Sequence, residues 1–341
     1  MRTACCALVA AVTTIGIAFA VPAHAQSRTW DDIVAAAKKE GSVTIYHANL
    51  GAPHWKKAVA AFKARYGIDV KEFDARASEM SERIRTEQES GRFIADLELH
   101  GYTTVLDQMK TNYVAELGDI PNAVNLRDDV PRIPDRGVPV WVQHSCLLVN
   151  TNLVKPADEP KSYAELTDPK WKGRMMSDEM RAIGGGNTFF GVVGDKLGLD
   201  YMRKLKAQDL LFDRDLQQSS RRIARGERAL LLQQIVAFAS ALKGLPVKVV
   251  VPDEGCPGTP IQGAILRGAP HPNAARVFIN HFLDMETQVT YGEAWMGTVI
   301  KGVAARLTDP EAKRFADIKT YGYVTPEIRE WSFKQAAEMF K

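Results

Sequence analysis

Two separate runs of alternating strand and helix signals, residues 42–110 and 174–251, constrain this chain more than any other feature. Val43 to Tyr46 is a β-branched and aromatic run, which predicts a strand. Trp55, Val59, Phe62 and Tyr66 share one helical face, and Gly67 stops that helix. Ile68 to Phe73 alternates apolar and polar, a second strand. Ser78 is placed to cap a helix that ends near Gly91, Asp96 to Leu99 is a third strand, and Tyr102 to Lys110 a further helix. Ahead of this run Thr29 caps a helix that Gly41 ends. The second run begins with a strand from Gly173 to Ser177 and a helix opened by Gly184-Gly185-Gly186-Asn187-Thr188. It continues with strands at 229–232 and 247–251 and helices between them.

Alternation of this kind builds α/β units with largely parallel sheets. Val138 to Asn150 reads as one long strand joining the two, and 247–266 as the return. A chain that crosses twice makes two lobes with a hinge and a closable cleft. The expected division is a leader at 1–25, a first lobe at 26–140 plus 262–341, and a second at 141–261, with crossovers near 138–150 and 247–266. Composition agrees: 45% apolar and 25% charged residues describe an ordinary folded chain. A formal net charge of +3 gives no electrostatic case for a nucleic-acid partner.

The first 25 residues read as a secretory signal peptide. Arg2 supplies the positive start, Cys5 to Val21 is uncharged and mostly apolar, and Ala23-His24-Ala25 offers small residues at the cleavage positions. The mature protein is then a periplasmic monomer starting at Gln26. It keeps two cysteines, Cys146 and Cys256. Export to an oxidising compartment makes them a disulfide candidate, with two buried thiols as the alternative.

Four stretches resemble the ferric-ion-type branch of ABC-transporter solute-binding proteins: "VTIYHANL", "VPVWVQHSCLLVNTNLV", "SYAELTDPKWKGRM" and "GAILRGAPHPNAARVFINHFL". The resemblance implies a type II periplasmic binding protein fold: each lobe a mostly parallel sheet flanked by helices, with two crossover strands as hinge. It implies a binding protein rather than an enzyme, without a cofactor, that delivers its solute to a permease in the inner membrane. Iron-binding members hold the metal with adjacent tyrosines. In "ALLLQQIVAFAS" Gln233 and Gln234 stand near that place, and neutral amides do not replace two phenolates on a trivalent cation. A small organic anion, phosphorylated or carboxylated, is the expected ligand, with a metal ion as the alternative. Gly-x-Ser-x-Gly and His-Glu-x-x-His do not occur, which leaves a secreted hydrolase as the reading from another class.

The candidate site follows from the strand ends, where open α/β sheets bind ligands. Glycines at 184–186 before a helix offer successive backbone N–H groups to an acidic group, which would rest on Gly185, Gly186, Asn187 and Thr188. The alternative is a glycine turn that only permits close packing. Arg76 or Arg181 would add a guanidinium. Asn49, Ser78, His100 and Gly101 lie in loops of the first lobe, His144 on the hinge strand, and Gln233 on the second lobe. His47, His100 and His144 sit at or near strand ends, as metal ligands, as hydrogen-bonding groups or as ordinary buried histidines. Tyr102 and Trp141 would line the cleft, whereas Phe189 and Phe190 enter the core.

Overall fold

The computed structural model describes residues 29–49, 51–316 and 318–341. The leader and its cleavage site lie outside them. Among the described residues no helix is long and apolar enough to cross a membrane.

The first lobe opens with α1 (Trp30–Glu40), β1 (Ser42–His47), α2 (Pro53–Tyr66), β2 (Asp69–Asp74), α3 (Ala77–Glu89), β3 (Leu97–Gly101) and α4 (Tyr102–Lys110). Thr29 and Asp32 close a capping box on α1, and Gly41, at φ 73°, takes the left-handed turn that ends it. Strand β4 (Val138–Asn150) leads to the second lobe, with β5 (Met175–Ser177), α5 (Gly185–Lys206), β6 (Leu211–Phe212), α6 (Leu216–Ala224), β7 (Leu230–Ile235), α7 (Val236–Ala239) and β8 (Val247–Val250). Strand β9 (Cys256–Ile265) returns to α8 (Pro272–Phe282), α9 (Met285–Glu293) and α10 (Pro310–Ala316). The chain ends with β10 (Thr320–Tyr323) and α11 (Pro326–Met339).

The sheet runs β2-β1-β3-β9-β4-β7-β5-β6, with β10 on β9 and β8 on β4. Its outer pairs, β1 with β2 and β3, and β5 with β6 and β7, are parallel. Of the pairs that involve the crossovers, β3–β9, β9–β4, β4–β7 and β4–β8 are antiparallel and β10–β9 is parallel. The sheets are therefore mixed around the hinge rather than parallel throughout. Strand β4 belongs to both lobes: Val138 to His144 pair with β9, and Ser145 to Asn150 with β7 and β8. Where it changes partner, Cys146 is bonded to Cys256 with the Cα atoms 5.2 Å apart. Export to an oxidising compartment suits that bond.

The larger apolar cluster runs from the first lobe across the hinge to Met176, Ile223 and Leu231, and another lies in the second lobe. In the first, Trp55 and Phe62 pack on Phe278 and Phe282 of α8, with ring centroids 4.9–6.2 Å apart. Burying one such side chain contributes about 2–3 kcal/mol. In the second, Phe189, Phe190 and Trp171 are fully or almost fully buried. The segment 326–341 departs from the expected division: Ala336 and Phe340 join the second core, and Gly191 and Gly194 of α5 leave room for Ile328 and Trp331 of α11. Helices α8, α9 and α10 stay on the first lobe. Sequence periodicity shows that α11 has an apolar face but not which lobe receives it.

Candidate functional site

A cleft of about 410 Å³ lies between the lobes. The starts of α3 and α4 form one wall, with Arg76, Ser78 and His100 to Thr104. The other wall is Asp178, Ile183 to Gly185, Asn187, Thr188 and the start of α6, Arg214 to Gln217. Trp141, Gln143 and Ser145 of β4 with Gly258 to Ile261 of β9 form the floor, and Val324, Arg329 and Phe333 close one side. Alternation along β4 explains the floor: Gln143 and Ser145 point one way and His144 the other.

Arg76, Ser78, Gly101, Gly185 and Thr188 therefore line the cleft as the sequence suggests. The guanidinium of Arg76 lies 3.8 Å from Asp215, across the cleft. Asp215 also accepts the Gln218 N–H at 3.0 Å and so caps α6. His100 lines the wall, but both ring nitrogens are engaged. Nδ1 accepts the Gly101 N–H at 2.8 Å, and Nε2 lies 2.8 Å from Ser81 Oγ and 3.1 Å from the Ala77 carbonyl. Burial pushes its pKa down to about 4, so it stays neutral near pH 7. His100 thus holds the start of α3 in place rather than offering a free ligand atom.

The glycine motif is closed at Gly186, while Gly184 and Gly185 reach the cleft. Asp178 Oδ2 accepts the Gly186 N–H at 2.9 Å, and Oδ1 accepts that of Glu179 at 2.9 Å. A Cβ on Gly186 would fall 2.5–2.6 Å from the carbonyl oxygens of Glu179 and Asp178, so only glycine fits there. Asn187 lines the cleft with its side chain turned inwards, donating to the Met180 carbonyl and accepting from Ser332. Gln233 is fully buried: it accepts the Asp178 N–H at 2.9 Å and donates to Ser177 Oγ at 3.1 Å. Gln234 accepts from Ser220 and donates to the Ile235 carbonyl. Gln233 fastens the segment that carries Asp178, Gln234 ties α6 to β7, and neither lines the cleft.

Four further residues lie off the cleft. Asn49 is buried against His47 and accepts from the Tyr291 hydroxyl. His144 pairs with Thr320 Oγ1 at 3.0 Å, and burial pushes its pKa down to about 4. Arg181 is held by Glu179 and the Phe340 carbonyl. His47 lies between Glu72 and Asp74, away from the wall. Among the described residues no group of three or more His, Cys, Asp or Glu side chains is arranged to hold a metal ion.

The sequence reading missed Arg214, Asp215 and Arg329. Asp215 ahead of a helical run was a legible capping signal. Arg214 is exposed at the rim, and no hydrogen bond or ion pair engages it among the described residues. Arg329 donates to Thr104 Oγ1 at 3.2 Å and lies 3.1 Å from Asp107; its burial lowers its pKa. It could not be placed without knowing where α11 docks.

A model of the family "Bacterial extracellular solute-binding protein" matches residues 57–320. The chain belongs to that family. It is 30% identical over 135 residues to an uncharacterized protein of Haemophilus influenzae, a match that spans 38% of this chain and 39% of that relative. Iron-bound HitA from Pseudomonas aeruginosa superposes with a TM-score of 0.72 at 18% identity, over 87% of this chain and 99% of that one. AfuA from Actinobacillus pleuropneumoniae, with exogenous fructose-6-phosphate bound, gives 0.69 at 17%, over 88% and 98%. Apo ferric ion-binding protein A from Pasteurella haemolytica gives 0.73 at 15%, over 88% and 98%. At these identities the likeness is one of fold: a two-lobed periplasmic binding protein.

Proposed function

We propose that the chain is the periplasmic receptor of an ABC importer, and that it captures a small organic anion between its lobes. Arg214 carries this reading: an unengaged guanidinium on the rim of a cleft that Arg76 and Arg329 also line. A guanidinium is a fork donor suited to carboxylate and phosphate. A ligand that touches both walls binds the closed state more tightly and shifts the population towards it. The permease would then read the closed form. Nothing in this role needs a reaction, and the ligand should be returned unchanged.

The ligands of two structural neighbours, iron in HitA and fructose-6-phosphate in AfuA, bracket the alternatives. Ferric iron favours hard anionic donors. Among the described residues the wall carries Tyr102 as its one tyrosine, with Asp178 and Asp215 as carboxylates. Asp178 is already bound to two backbone N–H groups, and Asp215 faces Arg76 and caps α6. That donor set supports an anion better than a trivalent cation.

Native mass spectrometry of protein taken from the periplasm without refolding, followed by calorimetry against carboxylates, sugar phosphates and ferric citrate, tests the proposal. A bound organic acid or phosphate is expected. A strong visible ferric-tyrosinate band with stoichiometric binding would overturn it.

A further inference from the structure

We propose that the cleft selects a monocarboxylate with an apolar body, a narrower class than organic anions at large; this rests on the anion reading above. The first argument is charge. Three guanidiniums line the cleft, and two already face a carboxylate, Arg76 with Asp215 and Arg329 with Asp107. His100 is neutral. Arg214 alone of the three has no carboxylate within ion-pair distance among the described residues; its charge is felt by Asp178, whose carboxyl is buried, and by Glu179, which Arg181 holds, so its fork is open to one acidic group. A phosphate dianion would bring surplus charge unless it displaced an existing pair.

The second argument is the surface around that charge. Trp141, Ile261, Leu99 and Met80 are buried on the hinge side of the cleft, and Phe238 and Phe333 complete an apolar lining. Burial of matching apolar area contributes roughly 25 cal/mol per Å². A polyhydroxylated sugar would instead bring hydroxyls against carbon, and each one left unpaired weakens binding. The lining also carries hydroxyls, among them those of Ser78, Thr103, Thr188 and Thr259, and the amides of Gln143 and Gln217, and these can orient the acidic group. At about 410 Å³ the cleft falls in the size range of small-molecule sites.

Calorimetry on the mature protein decides it, with phenylacetate and 4-methylvalerate as probes and 2-phenylethanol, gluconate and fructose-6-phosphate as contrasts. The two acids should bind, and the neutral alcohol should bind about tenfold or more weakly, the loss of one charged hydrogen bond. Arg214→Gln should remove that difference, while Arg214→Lys keeps part of it. Its side chain is exposed, so the thermal melt of both variants should match the parent. Tighter binding of fructose-6-phosphate or gluconate than of either acid would overturn this inference and leave the anion reading standing. Equal binding of acid and alcohol, or binding of ferric ion alone, would overturn both. Silence from both acids, or normal acid binding by Arg214→Gln, would also overturn the inference.

Discussion

Two of the helices that start at the cleft, α3 and α5, use their N-termini differently. Helix α5 begins with the glycine run that looks like an anion cradle, yet Asp178 already accepts the Gly186 N–H and so takes one of its donors. Helix α3 begins with Arg76 and Ser78, and both line the cleft. Glu79 accepts the Arg76 N–H there, and His100, on the same wall, holds the Ala77 carbonyl and the Ser81 hydroxyl. A helix N-terminus binds anions only if its donors are free. A glycine run says nothing about that, because the competing carboxylate is delivered by the fold.

Both starts depend on β4 and β9, so cutting the bond between those strands should loosen both. Replacing Cys146 and Cys256 by serine should cost about 4 kcal/mol, since the bond closes a separation of 110 residues. Chemical denaturation measures this, and thiol counting on exported protein should find neither cysteine free. A variant as stable as the parent would show that strand pairing alone holds the hinge.

The comparison sharpens when each start is attacked separately. Gly186→Ala forces a Cβ against two backbone carbonyls, and Asp178→Ala strips the cap; each should cost about 3 kcal/mol. Glu79→Ala, at the exposed start of α3, should cost about 0.5–1 kcal/mol. Equal losses at the two starts would erase the distinction between a buried cap and a surface one.

Much of this arrangement was legible in the sequence. The bounds of β4 and α4, the Thr29 cap and the Gly41 stop follow from local pattern alone. Arg76, Ser78, Gly101, Gly185 and Thr188 reach the cleft because they follow strand ends. The misses share a cause. His144 faces away because of strand alternation, Gln233 is turned inwards by Ser177 and Asp178, and α11 brings Arg329 from a distant part of the chain. Side-chain direction and docking partner are tertiary properties, and sequence spacing carries neither.

The two starts should also answer pH with opposite sign. His100 has its pKa lowered to about 4, so its contribution is complete above pH 6.5 and is lost as pH falls towards 4. From pH 6.5 to 5 the loss is about 2 kcal/mol from this group. Burial raises the pKa of Asp178, so its contribution is complete below the ordinary aspartate value and is lost as pH rises through the raised one. His54 and His144 shift as His100 does, so the reading must come from differences between variants. Stability curves of His100→Gln and Asp178→Asn against the parent should diverge in opposite directions. Parallel curves would break the comparison.

The smallest effect belongs to the contact that joins the two walls. Arg76 stands at the N-cap position of α3, Asp215 caps α6, and they face each other at 3.8 Å with 44% and 45% of their side chains exposed. Water and salt screen such a pair, so a double-mutant cycle with Arg76→Gln and Asp215→Asn should give about 0.5 kcal/mol at low ionic strength. In 1 M salt, where the screening length is about 3 Å, the coupling should vanish. A weak coupling suits a cleft that must open, because a ligand carboxylate near Arg214 then has little to displace. A coupling of several kcal/mol that survives high salt would mean that the walls are locked by their own charges, and that closure does not wait for a ligand.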